Sequence, residues 1–597
     1  MNKEAYVPIK DAWRMLVRAL RHIRVLMPGA LPRTFSLAVV KALRPFVAIY
    51  VTAWVLNALT SGMPMRRAVA GALIGAGIGC AAALLEAALT SLTHITNGKL
   101  HYRTQQEVNR KYLESDFERL EQPEFQKLKL DFTYFFGVPT TRALEFSAAV
   151  TTQLLTALIA LGTAIPLIWK ADARLSAIVA LLIAAVVGLS FLIQNKLGKL
   201  EYKYMAENAQ GNRLFGYMVG LAYNYKIGPE VRMFRAQKLL SHMGRRMSNA
   251  LYIQWGQDEG GYKAAAEAVT QTAGAAIYIA VALAALGGAF PIGSVVRYVG
   301  ALLRLSAGLG GLIQQLTSRQ LAKELETYFA ILDAAPIKYL GTLSTEKRDD
   351  AEYDIEFHDV SFKYPGSEQY ALRNLNLKLH IGQHLAVVGM NGSGKTTMIK
   401  LLCRLYDPTE GRITLNGFDI KKYDLRQYTD LFSVVFQDFK LFSFKAGENV
   451  AADTAFDRAR VIDCCEKAGY PDVDPDMLLY RNLDENGIEI SGGEAQKLAL
   501  ARALYRNAPF MVLDEPTAAL DPVAEFEIYT RFHALMAGHT AIYISHRLSS
   551  CRFCDDIAVF HEGRLIQRGS HEQLLADAGG KYRALWQSQA QYYAQIE

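Results

Sequence analysis

Gly389-Met-Asn-Gly-Ser-Gly-Lys-Thr-Thr397 has the spacing GxxxxGK[ST], and its flanks decide what it means. An apolar run at 385–388 precedes it and a helix-like run at 398–402 follows, so the glycines fall where a strand turns into a helix. Glycine at such a turn lets backbone N–H groups close around phosphate oxygens at a helix N-terminus. Lys395 adds a point charge, and the Thr396 hydroxyl is a suitable Mg²⁺ ligand. Gly389, Asn391, Gly392, Ser393, Gly394, Lys395, Thr396 and Thr397 are therefore the candidate phosphate contacts of an α/β domain.

Working outward, Phe510-Met-Val-Leu-Asp-Glu515 reads as a buried strand whose end presents two acids. Asp514 suits a Mg²⁺ shell and Glu515 suits the orienting of a water; taken alone, the pair also fits a solvated strand end, a reading the phosphate loop upstream disfavours. Ile490-Ser-Gly-Gly-Glu-Ala-Gln496 precedes that strand, Gln437 follows the strand-like 432–436, His546 ends the strand-like 541–545, and Tyr364 lies in Phe362-Lys-Tyr-Pro365.

Aromatic, phosphate loop, glutamine, SGG motif, acidic strand and histidine stand in one order, and in that order the chain resembles an ATP-binding cassette (ABC) transporter of the exporter-type half-transporter form. The resemblance is specific over 351–597 and topological over 1–340. It implies ATP and Mg²⁺ as cofactors, with nucleotide-binding domains paired head to tail. Each ATP then lies between one subunit's Lys395 loop and the partner's Ser491, Gly492 and Gly493. It further implies that Tyr364 stacks on adenine and that Gln437 senses Mg²⁺ and water. Glu515 is then the catalytic carboxylate, His546 holds the γ-phosphate and Asp521 links the two sites. Glu485 matches an acidic position beside the contact helices. The chain departs from the pattern at Glu494-Ala495, where the family has Gln and a basic residue.

The other half is of a different kind. The chain has 597 residues, 51% apolar and 21% charged, which excludes a single small module and intrinsic disorder. Six segments, 35–60, 67–93, 146–170, 174–194, 265–287 and 292–316, are each long and apolar enough to span a bilayer. Three connections are very short, at 60–66, 170–173 and 288–291, whereas 94–145 and 195–264 are long and charged. Structureless stretches of that length are rare, so the spans are expected to continue as helices into the cytosol. There the chain turns at Glu121-Gln-Pro-Glu-Phe125 and Ile227-Gly-Pro-Glu230, giving two short contact helices.

The net charge of +7 raises nucleic-acid binding, but the charges are placed otherwise. Lys3, Lys10, Arg14, Arg18, Arg21, Arg24 and Arg33 precede the first span, a positive-inside signal that sets both termini in the cytoplasm. Residues 11–27 read as an amphipathic helix on the inner membrane surface, the alternative being a helix packed on a neighbour. The expected organisation is an elbow at 1–33, a six-helix transmembrane domain at 34–330, a linker at 331–350 and a cytosolic P-loop ATPase domain at 351–597. The six cysteines do not form a secreted disulfide framework, and the Cys551/Cys554 pair lacks the second ligand pair of a zinc site.

The function expected is ATP-driven export by a dimer in a bacterial inner membrane, homodimeric because every catalytic position is intact, although a heterodimer stays open. Import on the same fold and an ATP-gated channel or regulator are the alternatives; a soluble ABC ATPase on nucleic acid is opposed by the six spans. In the sixth span Arg297 and Arg304 are seven residues apart, hence within about 20° on one helical face, with Gly300, Ala301, Gly308, Gly311 and Gln315 on or beside it. That stripe is expected to line a cavity for a negative or strongly polar substrate. The alternatives are snorkelling of Arg297 and an ion pair of Arg304 with Glu86; Lys41 and Arg44 are assigned to the inner interface.

Overall fold

The computed structural model describes residues 9–135, 138–170, 173–246, 250–317, 320–336, 338, 340–345, 353–380, 382–515, 540–544 and 548–594. They form two compact units, one of residues 1–114 and 123–335, the other of 115–122 and 336–597.

The first unit is helical: α1 (Ile9–Leu26), α2 (Ala30–Thr60), α3 (Met65–Leu113), then, after α4 (Phe117–Glu121) of the second unit, α5 (Pro123–Phe135), α6 (Pro139–Lys170), α7 (Ala173–Tyr223), α8 (Gly228–Met233), α9 (Gln237–Arg246), α10 (Ala250–Leu286), α11 (Ile292–Thr317) and α12 (Gln320–Leu332). Six helices, α2, α3, α6, α7, α10 and α11, are long and apolar enough to cross a membrane. With 49 and 51 residues, α3 and α7 run for about 75 Å, more than twice the roughly 30 Å of hydrocarbon. The charged connections are thus continuations of the spans, as their helical patterning implies.

One apolar stripe of α1 is covered by protein. Leu16, Ala19, Ile23 and Met27 pack with Leu100, Val108, Phe132, Leu144, Leu325 and Tyr328. Arg18 donates to both Asp333 oxygens at 2.7 and 2.6 Å and lies 4.0 Å from the Phe329 ring centroid. Glu107 accepts from the Tyr328 hydroxyl at 2.7 Å and lies 2.8 Å from His22 Nε2. One stripe of α1 is therefore packed on α3, α5, α6 and α12, while Trp13, Val17 and Val25 stay exposed on its other side.

Two expectations about charged residues in the spans need correction. Glu86 accepts from Arg44 at 2.8 Å, not from Arg304, because α2 and α3 are antiparallel neighbours joined by a short turn and hold the two side chains at similar depth. Arg297 and Arg304 do not act as one stripe: the Arg297 Nη2 donates to the Tyr298 hydroxyl at 3.1 Å, whereas Arg304 is exposed and has no ion-pair or hydrogen-bond partner among the described residues. The small residues placed beside them serve packing. A Cβ on Gly308 would lie 3.1 Å from the Gln153 carbonyl and the Ala157 amide, so α11 and α6 approach closely only because glycine stands there.

In the second unit, β1 (Ile355–Lys363), β2 (Tyr370–Leu379), β3 (His384–Gly389), α13 (Lys395–Leu402), β4 (Glu410–Leu415), β5 (Phe418–Asp419), α14 (Leu425–Thr429), β6 (Phe432–Val435), α15 (Ala446–Ala451), α16 (Arg458–Lys467), α17 (Gly492–Arg506), β7 (Phe510–Asp514), β8 (Thr540–Ile544), β9 (Asp556–His561) and β10 (Arg564–Gly569) follow one another. One sheet is antiparallel, β2-β1-β4-β5; the other has the order β10-β9-β3-β8-β7-β6 and is parallel from β9 to β6. The fully buried runs 384–388, 510–514 and 540–544 are what a parallel sheet covered on both faces requires. Helix α13 and the aromatic residues Phe362, Tyr406, Tyr428, Phe432 and Phe510 fill the space between the sheets.

The first contact segment belongs to this unit. Phe117 meets the Tyr406 ring edge-on at 5.6 Å, Glu121 accepts from the Tyr406 hydroxyl, and Asp116 accepts from the Lys338 amide at 3.2 Å. The second, around α8, is exposed: Tyr225, Met233 and Phe234 are 70%, 80% and 80% accessible.

Candidate functional site

Strands β3, β8, β7 and β6 are parallel neighbours, so the residues after each of them emerge on one edge of the sheet. In open parallel sheets, ligands sit at the carboxyl ends of the strands. The phosphate loop follows β3, Asp514 and Glu515 end β7, and Gln437 comes two residues after β6. Three separate stretches of sequence are thereby brought to one place.

The loop backbone has the conformation its glycines permit. Gly394, immediately before α13, has φ +101°, and a Cβ there would lie 2.6 Å from Leu372 Cδ2 and 2.9 Å from the Ala371 carbonyl. Gly394→Ala should therefore cost about 1–3 kcal/mol of domain stability and weaken nucleotide binding at least about tenfold. Thermal unfolding and a nucleotide titration read the two effects. The Lys395 ammonium turns back over the loop and donates to the carbonyls of Gly389 and Met390 at 2.9 and 3.1 Å. Burial lowers its pKa, opposed by the charges of Glu515 and Asp514. The Ser393 hydroxyl is buried without a partner among the described residues.

Asp514 is fully buried, and neither carboxylate oxygen has a well-formed hydrogen bond among the described residues. Burial pushes it up to about 6, against the pull of the Thr396 hydroxyl and Lys395. A buried, unsatisfied carboxylate beside a threonine hydroxyl is a set of hard oxygen donors awaiting a cation, so these residues fit Mg²⁺.

Glu515 stands where the chain leaves the sheet. Its amide still donates to the Ile544 carbonyl at 3.0 Å, and its φ of +52°, rare for a non-glycine residue, turns the side chain off the strand end. Gln437 Nε2 donates to Glu515 Oε2 at 2.8 Å. Burial raises the Glu515 pKa and Lys395 lowers it. A carboxylate held in this way is placed to orient a water toward a phosphate in the loop.

Tyr364 lies next to the loop, half-buried, its hydroxyl 3.0 Å from that of Thr397 and its ring edge-on to Tyr406 at 5.4 Å. Asp521 and His546 fall outside the described residues. Ser491, Gly492 and Gly493 begin α17, in a separate layer with α15 and α16, and no hydrogen bond among the described residues joins them to the phosphate loop. Glu485 is exposed in the loop before α17.

Two features escaped the sequence reading. Tyr406, a lone aromatic in a turn, is the seat of the first contact segment and carries no local signal of that role. Ser491 and Glu494 form a capping box, whose S-x-x-E pattern is visible in the sequence but was read there only as a departure from a family motif. Cys551 is buried, and burial raises the Cys554 thiol well above its usual range, as suits unreactive cysteines.

Three comparisons bear on this arrangement. Residues 372–518 match the family model described as ABC transporter. A Polaromonas protein named ATP-dependent lipid A-core flippase is 34% identical over 435 residues, 72% of this chain and 71% of that protein. Proteins of the same name from Haemophilus ducreyi and Yersinia pestis are 40% and 39% identical over 270 and 258 residues, and this chain spans only 45% and 44% of their lengths. The solved structure of a bacterial Atm1-family ABC exporter with ATP bound superposes with a TM-score of 0.74 over 95% of this chain and 98% of that one, at 23% identity, a likeness of fold.

Proposed function

This chain is a member of the ABC transporter family, six membrane helices fused to one nucleotide-binding domain, and from that membership we propose that it is an ATP-driven exporter working as a dimer. The observation that carries the reading is the meeting of the Lys395 loop, Asp514, Glu515 and Gln437 at one sheet edge, on the same chain as six spans.

The loop amides and Lys395 bind the phosphates of ATP, and Tyr364 borders the adenine. Thr396, Asp514 and Gln437 would hold Mg²⁺, which when bound neutralises charge developing on the phosphates. Glu515, oriented by Gln437, positions the attacking water. Ser491, Gly492 and Gly493 of the facing subunit close the site, and Asp521 and His546 complete it as the family resemblance implies. Nucleotide sandwiching then drives the spans between two access states.

The exposed Tyr225, Met233 and Phe234 around α8 support the dimer, being apolar surface that a second chain would cover. A homodimer is preferred because the described catalytic positions are intact. The basic N-terminal segment supports cytosolic termini in a bacterial inner membrane.

For the substrate, we propose an amphipathic lipid with an anionic headgroup: the relatives are named lipid A-core flippases, and the anionic headgroup is chosen to suit Arg304. Arg304 lies about 18 Å along α11 from its first residue, deep in the hydrocarbon, exposed and unpaired. An arginine facing lipid at that depth costs at least about 2.5–3.5 kcal/mol, so it belongs on a water-filled cavity, where it attracts a negative headgroup. Purified protein in vesicles should hydrolyse ATP faster when such a lipid is added. Arg304→Ala should abolish that stimulation and keep the basal rate; stimulation unchanged in the variant would remove Arg304 from the substrate path.

A further inference from the structure

We propose that Glu494 limits how tightly the nucleotide sandwich closes, by placing a negative charge on the helix end that receives the facing subunit's terminal phosphate. The inference rests on the sandwich reading given above.

Helix α17 has 15 residues and begins at Gly492, with Ser491 as its N-cap. The Ser491 hydroxyl accepts from the Glu494 amide at 3.2 Å, and the Glu494 carboxylate accepts from the Ser491 amide at 2.7 Å. The amides of Gly492 and Gly493 take part in no described hydrogen bond and stay available to a phosphate. A helix N-terminus carries about half a positive charge, to which those amides contribute. A full carboxylate charge in the first turn more than cancels it, so the helix end offers hydrogen bonds to the phosphate while its net charge repels.

The carboxylate is ionised in this setting. Hydrogen bonds from the Ser491 backbone and hydroxyl hold its pKa below the usual range, with Tyr470 and the Lys497 charge acting in the same direction. The Tyr470 hydroxyl reaches Glu494 Oε1 at a long 3.5 Å, and Lys497 lies one turn further along α17. Each closing event therefore brings a carboxylate toward a phosphate, which weakens ATP-driven closure and speeds reopening while the terminal phosphate is in place.

Glu494→Gln isolates the charge, because a glutamine oxygen still accepts from the Ser491 amide and the cap survives. In full-length protein in vesicles, this variant should lower the KM for ATP about tenfold, equal to about 1.4 kcal/mol, and lengthen nucleotide retention. Salt screens the attraction of Lys395 in both proteins but the Glu494 repulsion only in the wild type, so raising salt should narrow the KM difference between them. A variant KM within twofold of wild type, or raised, overturns the proposal, as does a KM difference that does not shrink with salt. Glu515→Gln serves as the control for the underlying reading: if that variant fails to trap nucleotide, the sandwich reading has failed; if it traps nucleotide while Glu494→Gln changes nothing, only the role of Glu494 has.

Discussion

Glu515→Gln should leave ATP binding intact and lower turnover by about 10²–10⁴-fold, the range for loss of a positioned general base. The glutamine keeps the shape of the side chain and an oxygen for the Gln437 donor, which now stands 2.8 Å from Glu515 Oε2. What it loses is the charge that orients and polarises a water. Phosphate binding survives because the Lys395 loop and the Ser491 turn are untouched. Removing one negative charge beside Lys395 also eases repulsion of the nucleotide, so the variant should accumulate as a closed, ATP-loaded dimer. Steady-state hydrolysis and retention of labelled ATP through a desalting column measure the two effects. Near-normal hydrolysis would move the catalytic role away from Glu515.

Two inactive variants should regain activity when they are produced together. Lys395→Ala removes the charge in the phosphate loop. Gly492→Arg blocks the turn before α17; no atom lies within 4 Å of a Cβ built at Gly492, so the single chain accommodates the side chain and it obstructs only a facing phosphate. Each variant alone has two defective sites per dimer. In a mixed dimer both defects fall in one site and the other is intact. With random pairing half the dimers are mixed, so about a quarter of wild-type ATPase should return. Separately purified variants mixed in detergent without subunit exchange should stay inactive. No recovery on co-production would mean that each chain closes its own site, contrary to the proposed sandwich.

The parts of this molecule that were legible in its sequence are those fixed by local chemistry. GxxxxGK[ST] between a buried strand and a helix admits one backbone solution, and the long apolar helices follow from length and hydropathy. Asp514 and Glu515 were readable because a buried apolar strand leaves few uses for two acids at its end. Positions decided by tertiary packing were not readable. Helical periodicity put Arg297 and Arg304 on one face but could not tell that Tyr298 occupies Arg297, or that Arg44 reaches Glu86 first. Likewise α1 has an amphipathic pattern that suits a membrane surface and a protein groove equally. The choice is made by Leu100, Val108, Leu325 and Tyr328, which lie far away in sequence. Tyr406 gives no sign in its own surroundings that Phe117 and Glu121 will dock on it.

The central claim is that hydrolysis on the second unit moves a substrate through the first. Its most direct test is flux of a fluorescent lipid with an anionic headgroup between the leaflets of vesicles containing the purified protein. The account predicts movement that needs hydrolysable ATP, is absent with a non-hydrolysable analogue, and is lost in Glu515→Gln despite bound nucleotide. Equal movement in that variant, or movement down a gradient with nucleotide bound and none hydrolysed, would contradict it and mark the protein as a nucleotide-gated pathway instead of a pump.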